Sequence, residues 1–305
     1  MTISLRLLHP LFGAEVRGVD LSAPVDDPTV GRIVDALNEH AVLVFPGQAL
    51  DDEQQIAFSR RFGPLETSIR KDRPRHVRRA EVSDISNIDE HGRMLDPADE
   101  GAIYNAGNRL WHSDSSFKRV PAMASLLSAR EVPPEGGETE YADMRSAWDA
   151  LAEEKRRGLE GLIAEHSFVY SRGLIGYDQF TEAERAAVPP VPQVLVRTHP
   201  GTGRKSLYLG SHASHIIGWP VEKGRVLLRE LLEFATQPRF VYQHKWQVGD
   251  LVMWDNRCVL HRGRPWDESR YPRVMHRTTV AGDGPTVPDE QVARGAVQVG
   301  AQPVG

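Results

Sequence analysis

The apolar positions near the start of the chain follow a helical period. Spacings of i, i+3, i+4 and i+7 are found at Val30, Ile33, Val34 and Leu37. Asp27 and Pro28 supply a cap and a first-turn proline for this predicted helix. A β-branched run predicts a strand over 41–45, and Asp51 is expected to cap a second helix that ends at Gly63.

Two further segments have a helical pattern, one over 146–165 and one over 221–235. We expect the first to break near Gly158 and Gly161. The second should bury a face formed by Val226, Leu227, Leu231 and Phe234.

Most other apolar runs are short and lie between Gly, Pro and Asn turns. Such runs occur at 125–128, 194–197, 206–209, 240–246, 251–254 and 258–261. Many short strands with frequent turns are typical of a double-sheet barrel or sandwich. The run 251–254 reads as a buried strand, and the next strand would end at His261.

Composition limits the classes of protein that need to be considered. The chain has 305 residues, 40% of them apolar, which is enough for one large core. Its net charge of −5 argues against nucleic-acid binding, which needs a basic excess. Cys258 is the single cysteine, so no intrachain disulfide can form and a reducing compartment is indicated.

The N-terminus does not read as a signal peptide, and no apolar run reaches the roughly 18 residues of a membrane span. We therefore expect a cytoplasmic protein without nucleic-acid or membrane partners. The basic stretch 70–79 is either a solvated loop or a lid that brings a cation such as Lys71 to an acidic substrate.

The segment 111–114 contains His112 and Asp114, two residues apart. On an extended strand this spacing places both side chains on one face. His261 would complete a set of two imidazoles and one carboxylate, the facial triad of non-haem Fe(II) oxygenases. Each part has another interpretation by itself: a hydrogen-bonded pair on a loop, and a histidine of the core.

Arg273 and Arg277 are four residues apart, so they share a face if they lie on a strand. Buried arginines need anionic partners, and the planar guanidinium matches a carboxylate. Alternatively, the two arginines protect a solvated edge strand from aggregation.

The order of these motifs, with Thr139 between the two histidines, resembles the Fe(II)- and 2-oxoglutarate-dependent dioxygenases of the taurine dioxygenase family. The resemblance extends from about Leu8 to about Gly282. Within the family, the chain is most similar to the 2,4-dichlorophenoxyacetate dioxygenase branch. That similarity is carried by residues 9–12, 43–48, 54–58, 62–65, 110–117, 204–205, 212–215 and 248–263.

The resemblance implies a mainly β fold with helices: a double-stranded β-helix, or jelly roll, with flanking helices. A single dioxygenase domain would cover 1–283, with about 152–240 as an insertion between the core strands. The tail 284–305 is rich in Pro, Gly, Gln and Val and is expected to be poorly ordered.

The resemblance also assigns roles to individual residues. The ligands of Fe(II) would be His112, Asp114 and His261. Thr139 and Arg273 would hold the distal carboxylate of 2-oxoglutarate. Arg277 would bind the anionic group of the substrate, in a pocket lined by Asn108 and Ser115. Two further residues, His212 and His215, are pocket candidates, although core or surface histidines are the more common interpretation of such residues.

The implied reaction consumes O2 and 2-oxoglutarate and hydroxylates an aryloxyalkanoate, such as 2,4-dichlorophenoxyacetate, beside its ether oxygen. The products would be a phenol, glyoxylate, succinate and CO2. One alternative is a taurine or alkyl-sulfonate substrate. Alternatives from other classes are a zinc-dependent hydrolase and a non-catalytic jelly-roll protein. A homo-oligomer is expected from the family resemblance.

Overall fold

The structure is a computed structural model that describes residues 2–67, 77, 79–96 and 99–293. Its strands are β1 Ser4–Leu7, β2 Ala14–Arg17, β3 Val42–Phe45, β4 Val82–Asp84, β5 Ala124–Glu131, β6 Thr139–Asp143, β7 Ile163–His166, β8 Val191–Val194, β9 Val196–Thr198, β10 Lys205–Leu207, β11 Ala213–Ile216, β12 Val241–His244, β13 Leu251–Asp255, β14 Val259–Gly263 and β15 Val274–Val280. Its helices are α1 Asp27–His40, α2 Asp52–Ser59, α3 Glu100–Asn105, α4 Met144–Asp149, α5 Glu153–Leu159, α6 Phe168–Gly173, α7 Glu182–Ala187, α8 Val221–Ala235 and α9 Asp289–Ala293.

The largest sheet has the strand order β1-β2-β3-β13-β5-β15-β4. Its pairs are antiparallel except for β2 with β3. A three-stranded antiparallel sheet, β12-β6-β14, contributes to the same apolar cluster as the large sheet. Two smaller sheets, β11-β7-β8 and β10-β9, come from the segment between β6 and β12.

Strand β13 shows how the large sheet is buried on both faces. Leu251 and Met253 pack with residues of α1, whereas Val252 and Trp254 pack with Tyr141 of the three-stranded sheet. All four β13 side chains are fully buried. A strand covered on both faces reads as a continuous apolar run, which explains why the sequence pattern identified it.

The N-cap of the first helix lies one residue earlier than predicted. The N-cap is Asp26, not Asp27, and the Asp26 carboxylate accepts a hydrogen bond from the Thr29 amide at 2.7 Å. Asp27 is already helical, and Val34 is 37% exposed instead of facing the core. The prediction for Asp51 is confirmed, because it caps α2 through a capping box with Gln54.

The predicted helix over 146–165 is wrong in its last third. Two short helices, α4 and α5, are followed at Ile163 by strand β7, which pairs with β8 and β11. Gly161 has φ +81°, a left-handed conformation that ends the helical run. Strand pairing then overrides the local helical pattern. Helix α8 has the predicted bounds, but Val226 is 43% exposed.

The segment 152–240 packs onto the core strands through an apolar cluster that includes Leu228, Leu231, Ala142 and Leu260. The predicted tail is packed at its beginning: Val287 is fully buried, and Arg119 donates to its carbonyl oxygen. The start of the predicted tail thus contacts the rest of the chain at Val287, and the expectation of poor order over 284–305 stays a prediction. Residues 294–305 lie outside the described residues, as does Lys71 with most of 70–79.

Within the part of the chain described, no helix is both long and apolar enough to cross a membrane.

The capping box of α2 gives a test of the local structure. Asp51→Ala removes the carboxylate that accepts from the Gln54 amide at 2.8 Å, and it should lower the free energy of unfolding by about 1 kcal/mol. Asp35→Ala, on the exposed side of α1, is the control and should stay within about 0.5 kcal/mol of the parent. Urea denaturation measures both, and equal losses would contradict the cap.

Candidate active site

The two histidines of the predicted triad lie on paired backbone segments. The His112 amide donates to the His261 carbonyl at 3.0 Å, and the His261 amide donates back at 2.8 Å. His261 belongs to β14, whereas His112 forms only this isolated bridge. Asp114 already lies in the turn that follows, so the expected extended strand over 112–114 is wrong beyond His112. The turn nevertheless aims its carboxylate at both rings.

The structure brings His112, Asp114 and His261 together as a group that could hold a metal ion. One ligand atom from each lies within 4.8 Å of the others. The Asp114 carboxylate is 3.8 Å from His112 Nε2 and 3.7 Å from His261 Nε2. All three side chains are buried, and the two imidazole centroids are 4.1 Å apart.

The surroundings of His112, Asp114 and His261 keep the three side chains in the protonation states in which they can bind a metal ion. Burial lowers the pKa of His112 and lowers the pKa of His261 further, so both imidazoles are neutral. Burial alone would raise the pKa of Asp114, but the opposing effects, of which the Arg277 cation is the largest, outweigh it and lower the pKa overall. Two neutral imidazoles and one carboxylate fit Fe(II).

The carboxylate of Asp114 is oriented by Arg277 and by two residues that the sequence analysis did not identify, Ser125 and Asn256. Ser125 Oγ donates to Asp114 Oδ2 at 2.7 Å and accepts from Asn256 Nδ2 at 2.9 Å. Asn256 Oδ1 accepts from the Asp114 amide at 3.2 Å and from Trp254 Nε1 at 2.9 Å. Arg277 Nη1 donates to Asp114 Oδ1 at 2.5 Å. The sequence analysis named Arg277, but as a substrate-binding residue and not as a partner of Asp114.

Arg273 is a buried cation beside Thr139. Its Nε donates to the Gly137 carbonyl at 3.0 Å, and its Nη2 is 3.5 Å from Thr139 Oγ1. Burial lowers the pKa of Arg273 to about 10. Among the described residues, no carboxylate forms an ion pair with Arg273. A buried arginine of this kind is a site for an anionic ligand.

A protein-family model with the description "Taurine catabolism dioxygenase TauD, TfdA family" matches residues 4–279. The chain belongs to this family. It is 51% identical over 282 residues to the alpha-ketoglutarate-dependent 2,4-dichlorophenoxyacetate dioxygenase of Cupriavidus pinatubonensis, a match that covers 92% of this chain and 98% of that one. It is 42% identical to the (S)-phenoxypropionate/alpha-ketoglutarate-dioxygenase of Sphingobium herbicidovorans over 284 residues, 90% and 94% of the two chains.

Among solved structures, the crystal structure of AAD-2 in complex with Mn(II) and N-oxalylglycine is similar to this TauD, TfdA family member with a TM-score of 0.88. The identity is 48%, and the match covers 94% of this chain and 100% of that one. These comparisons confirm the predicted family and its 2,4-dichlorophenoxyacetate branch. They also confirm the jelly-roll fold with flanking helices, although the sheets do not close into a barrel in the described residues.

Of the predicted substrate-binding residues, Arg277 and Asn108 lie near the site and Ser115 is engaged elsewhere. Asn108 lines a cavity that also contains Arg273 and Gly263, two residues after the metal-ligand candidate of β14. Ser115 has φ 55° and donates its hydroxyl to Glu66 Oε2 at 2.6 Å. This bond fixes the turn after Asp114, and Ser115 is not among the residues that line the cavity.

The two further pocket candidates, His212 and His215, differ in position. His212 is buried, and its ring centroid is 6.3 Å from that of His112 and 4.9 Å from that of Phe117. Burial lowers the pKa of His212 well below its usual range. His215 instead contacts Ser214 Oγ at 2.9 Å and lies 3.7 Å from Glu165. The structure therefore brings His212, and not His215, to the triad.

A second buried group, His199 with Asp255 and Cys258, also has metal-binding residue types. Its carboxylate is already used: Asp255 accepts from Arg257 Nη2 at 2.6 Å and lies 2.8 Å from His199 Nε2. Burial raises the pKa of the Cys258 thiol, so the thiolate that would ligate a metal is disfavoured. This group is a hydrogen-bonded support for the turn between β13 and β14.

The support of Asp114 gives a prediction with a matched control. Ser125→Ala removes the donor to Asp114 Oδ2 and should weaken Mn(II) binding by roughly 10-fold to 100-fold, since outer groups orient metal ligands. Ser128→Ala, at another buried serine of β5 whose hydroxyl has no partner among the described residues, should leave Mn(II) affinity unchanged. Equilibrium Mn(II) titration compares them, and equal affinities would show that Ser125 does not orient the ligand.

Proposed function

We propose that this chain is an Fe(II)- and 2-oxoglutarate-dependent dioxygenase that hydroxylates an aryloxyalkanoate beside its ether oxygen. The observation that carries the proposal is the buried triad of His112, Asp114 and His261, together with the buried cation of Arg273, which has no carboxylate partner among the described residues. The triad has the ligand types that bind Fe(II), and Arg273 can bind the second carboxylate of a dicarboxylic acid. The names of the relatives support the same class of enzyme.

The metal would be held by His112, Asp114 and His261. Three protein ligands on one face leave positions for a 2-oxo acid and for oxygen, and Fe(II) supplies the redox chemistry between them. The protein contributes the orientation of Asp114 through Ser125 and a site closed to bulk water, because all three ligands are buried. No nucleophile or acid–base pair is required.

The distal carboxylate of 2-oxoglutarate would bind to Arg273 and Thr139. Trp246 Nε1 donates to Thr139 Oγ1 at 3.0 Å, which leaves the hydroxyl proton free to be donated to a carboxylate oxygen. The structural relative AAD-2 was crystallised with N-oxalylglycine, which has the same two carboxylates as 2-oxoglutarate, and this supports the assignment.

The substrate carboxylate would bind to Arg277, whose guanidinium lies beside Asp114 at the triad. Asn108 and the apolar side chains of Ile85 and Leu95 line the neighbouring cavity, and His212 is a further pocket candidate next to His112. A carboxylate at one end and an aryl group at the other match the substrates named for the relatives, 2,4-dichlorophenoxyacetate and (S)-phenoxypropionate.

The proposed products follow from the chemistry of the hydroxylated carbon. One atom of O2 enters succinate as 2-oxoglutarate loses CO2, and the other enters the substrate beside its ether oxygen. The resulting hemiacetal breaks its carbon–oxygen bond and gives a phenol and, from an oxyacetate, glyoxylate. An alkyl sulfonate is the alternative substrate class, because an arginine at position 277 recognises a sulfonate as well as a carboxylate.

Product analysis tests the reaction. Purified protein with Fe(II), ascorbate, O2 and 2-oxoglutarate should release succinate and phenol in equal amounts when 2,4-dichlorophenoxyacetate is added. Taurine and a longer alkyl sulfonate are run in parallel. Succinate that rises only with a sulfonate would contradict the proposed substrate but not the proposed enzyme class. No succinate under any condition would contradict the enzyme class itself.

The separate roles of the two arginines give a further prediction. Arg273→Ala should weaken 2-oxoglutarate binding by roughly 2–5 kcal/mol, the cost of breaking a buried charge pair, or about 30-fold to several thousand-fold. Arg277→Ala should instead raise KM for the aryloxyalkanoate and, because Arg277 also donates to Asp114, should weaken metal binding as well. The control Arg119→Ala removes an exposed ion pair with Asp289 and should change neither constant. A loss below threefold in Arg273→Ala would contradict the assigned role.

A further inference from the structure

Tyr141 lies beside the proposed co-substrate site. It is two residues after Thr139 on β6, so both side chains leave the same face of the strand. On the neighbouring strand β14, the residue directly opposite Tyr141 is the metal-ligand candidate His261, and Gly263 is opposite Thr139. Tyr141 is therefore placed between the group that would bind iron and the group that would bind the distal carboxylate.

The ring of Tyr141 is fully packed, but its hydroxyl is not paired. The phenol is completely buried, with ring centroids 5.6 Å from Trp254 and 6.3 Å from His261. Its oxygen has no hydrogen-bond partner among the residues that the structure describes. A buried hydroxyl without a partner costs free energy, so an unpaired one beside a binding site points to a ligand.

A tyrosine hydroxyl ordinarily carries its proton at neutral pH, so the Tyr141 hydroxyl can donate a hydrogen bond. Burial, the largest effect, raises the pKa of the Tyr141 phenol well above its usual value, so it remains protonated. The Arg273 cation opposes this shift, as does the Thr139 hydroxyl, which is near the phenol oxygen but lacks hydrogen-bond geometry to it, and the Asp114 carboxylate adds to the shift. The phenol is therefore close enough to interact electrostatically with both the Arg273 cation and the Asp114 carboxylate.

We propose that the Tyr141 hydroxyl donates a hydrogen bond to the distal carboxylate of 2-oxoglutarate, alongside Arg273 and Thr139. A carboxylate has about four lone-pair sites, so a guanidinium and two hydroxyls can bind it together. The inference rests on the proposed function, because it concerns the same co-substrate. It adds a third contact that neither motif order nor spacing indicated.

Tyr141→Phe removes only the hydroxyl oxygen. Calorimetric titration of the Mn(II)-loaded protein with 2-oxoglutarate should give a Kd roughly 10-fold to 100-fold higher than in the parent, the effect of one hydrogen bond to a charged group. Mn(II) affinity should not change. Without 2-oxoglutarate, the Tm should not fall, because the lost hydroxyl has no protein partner.

Tyr208→Phe is the matched control. Tyr208 is also a buried tyrosine whose hydroxyl has no partner among the described residues, but it lies on the segment between β10 and β11. Its 2-oxoglutarate affinity should equal that of the parent. An equal loss in both variants would mean that removing any buried phenol oxygen loosens the core, and it would overturn the proposal.

A second ligand tests whether Tyr141 contacts the distal carboxylate of 2-oxoglutarate. 2-Oxopentanoate has the same 2-oxo acid end as 2-oxoglutarate and lacks the distal carboxylate. Its affinity should be equal in the parent and in Tyr141→Phe, so the difference between the two proteins should vanish. A loss that persists with 2-oxopentanoate, or a loss below threefold with 2-oxoglutarate, would overturn the inference. If the parent did not bind 2-oxoglutarate, or if Arg273→Ala bound it normally, the proposed function itself would fail.

Discussion

Burial of the Asp114 carboxylate is the constraint on which the arrangement of the site depends. An ionised carboxylate in a core is costly unless cations and hydrogen-bond donors surround it. Its donors come from two separate strands, Ser125 on β5 and Arg277 on β15. Asn256, which follows β13, accepts from the Asp114 backbone amide and donates to Ser125 Oγ. These strands are neighbours in one sheet, so the register that pairs them also assembles the site. Correct pairing of these strands is therefore needed both for the fold and for the geometry of the site.

The two arginines at positions 273 and 277 lie close in sequence but contact different parts of the site. Arg277 contacts the triad through Asp114, whereas Arg273 reaches Gly137 and Thr139 on the side of the three-stranded sheet. The first has an anionic partner within the protein, and the second has none among the described residues. This difference supports the distinct roles proposed for the two cations: Arg277 would bind the substrate beside the iron, and Arg273 would bind the distal carboxylate of 2-oxoglutarate.

The sequence predicted what short-range spacing and motif order can encode. The strand over 251–254, the bounds of α8 and the meeting of His112, Asp114 and His261 were all predicted correctly. The strand β7 was missed, because its pairing with β8 and β11 is a tertiary effect that outweighs a helical pattern. Ser125 and Tyr141 were missed for a related reason: a serine or tyrosine on a strand acquires its role only from what the fold places opposite it.

The central claim is that iron and 2-oxoglutarate bind together at the buried triad. Anaerobic visible spectroscopy tests this most directly, because a 2-oxo acid that chelates Fe(II) gives a weak charge-transfer band. We predict that the band needs both Fe(II) and 2-oxoglutarate, that zinc gives none, and that His261→Ala abolishes it. A band that is absent from the parent protein, or that survives in His261→Ala, would contradict the account.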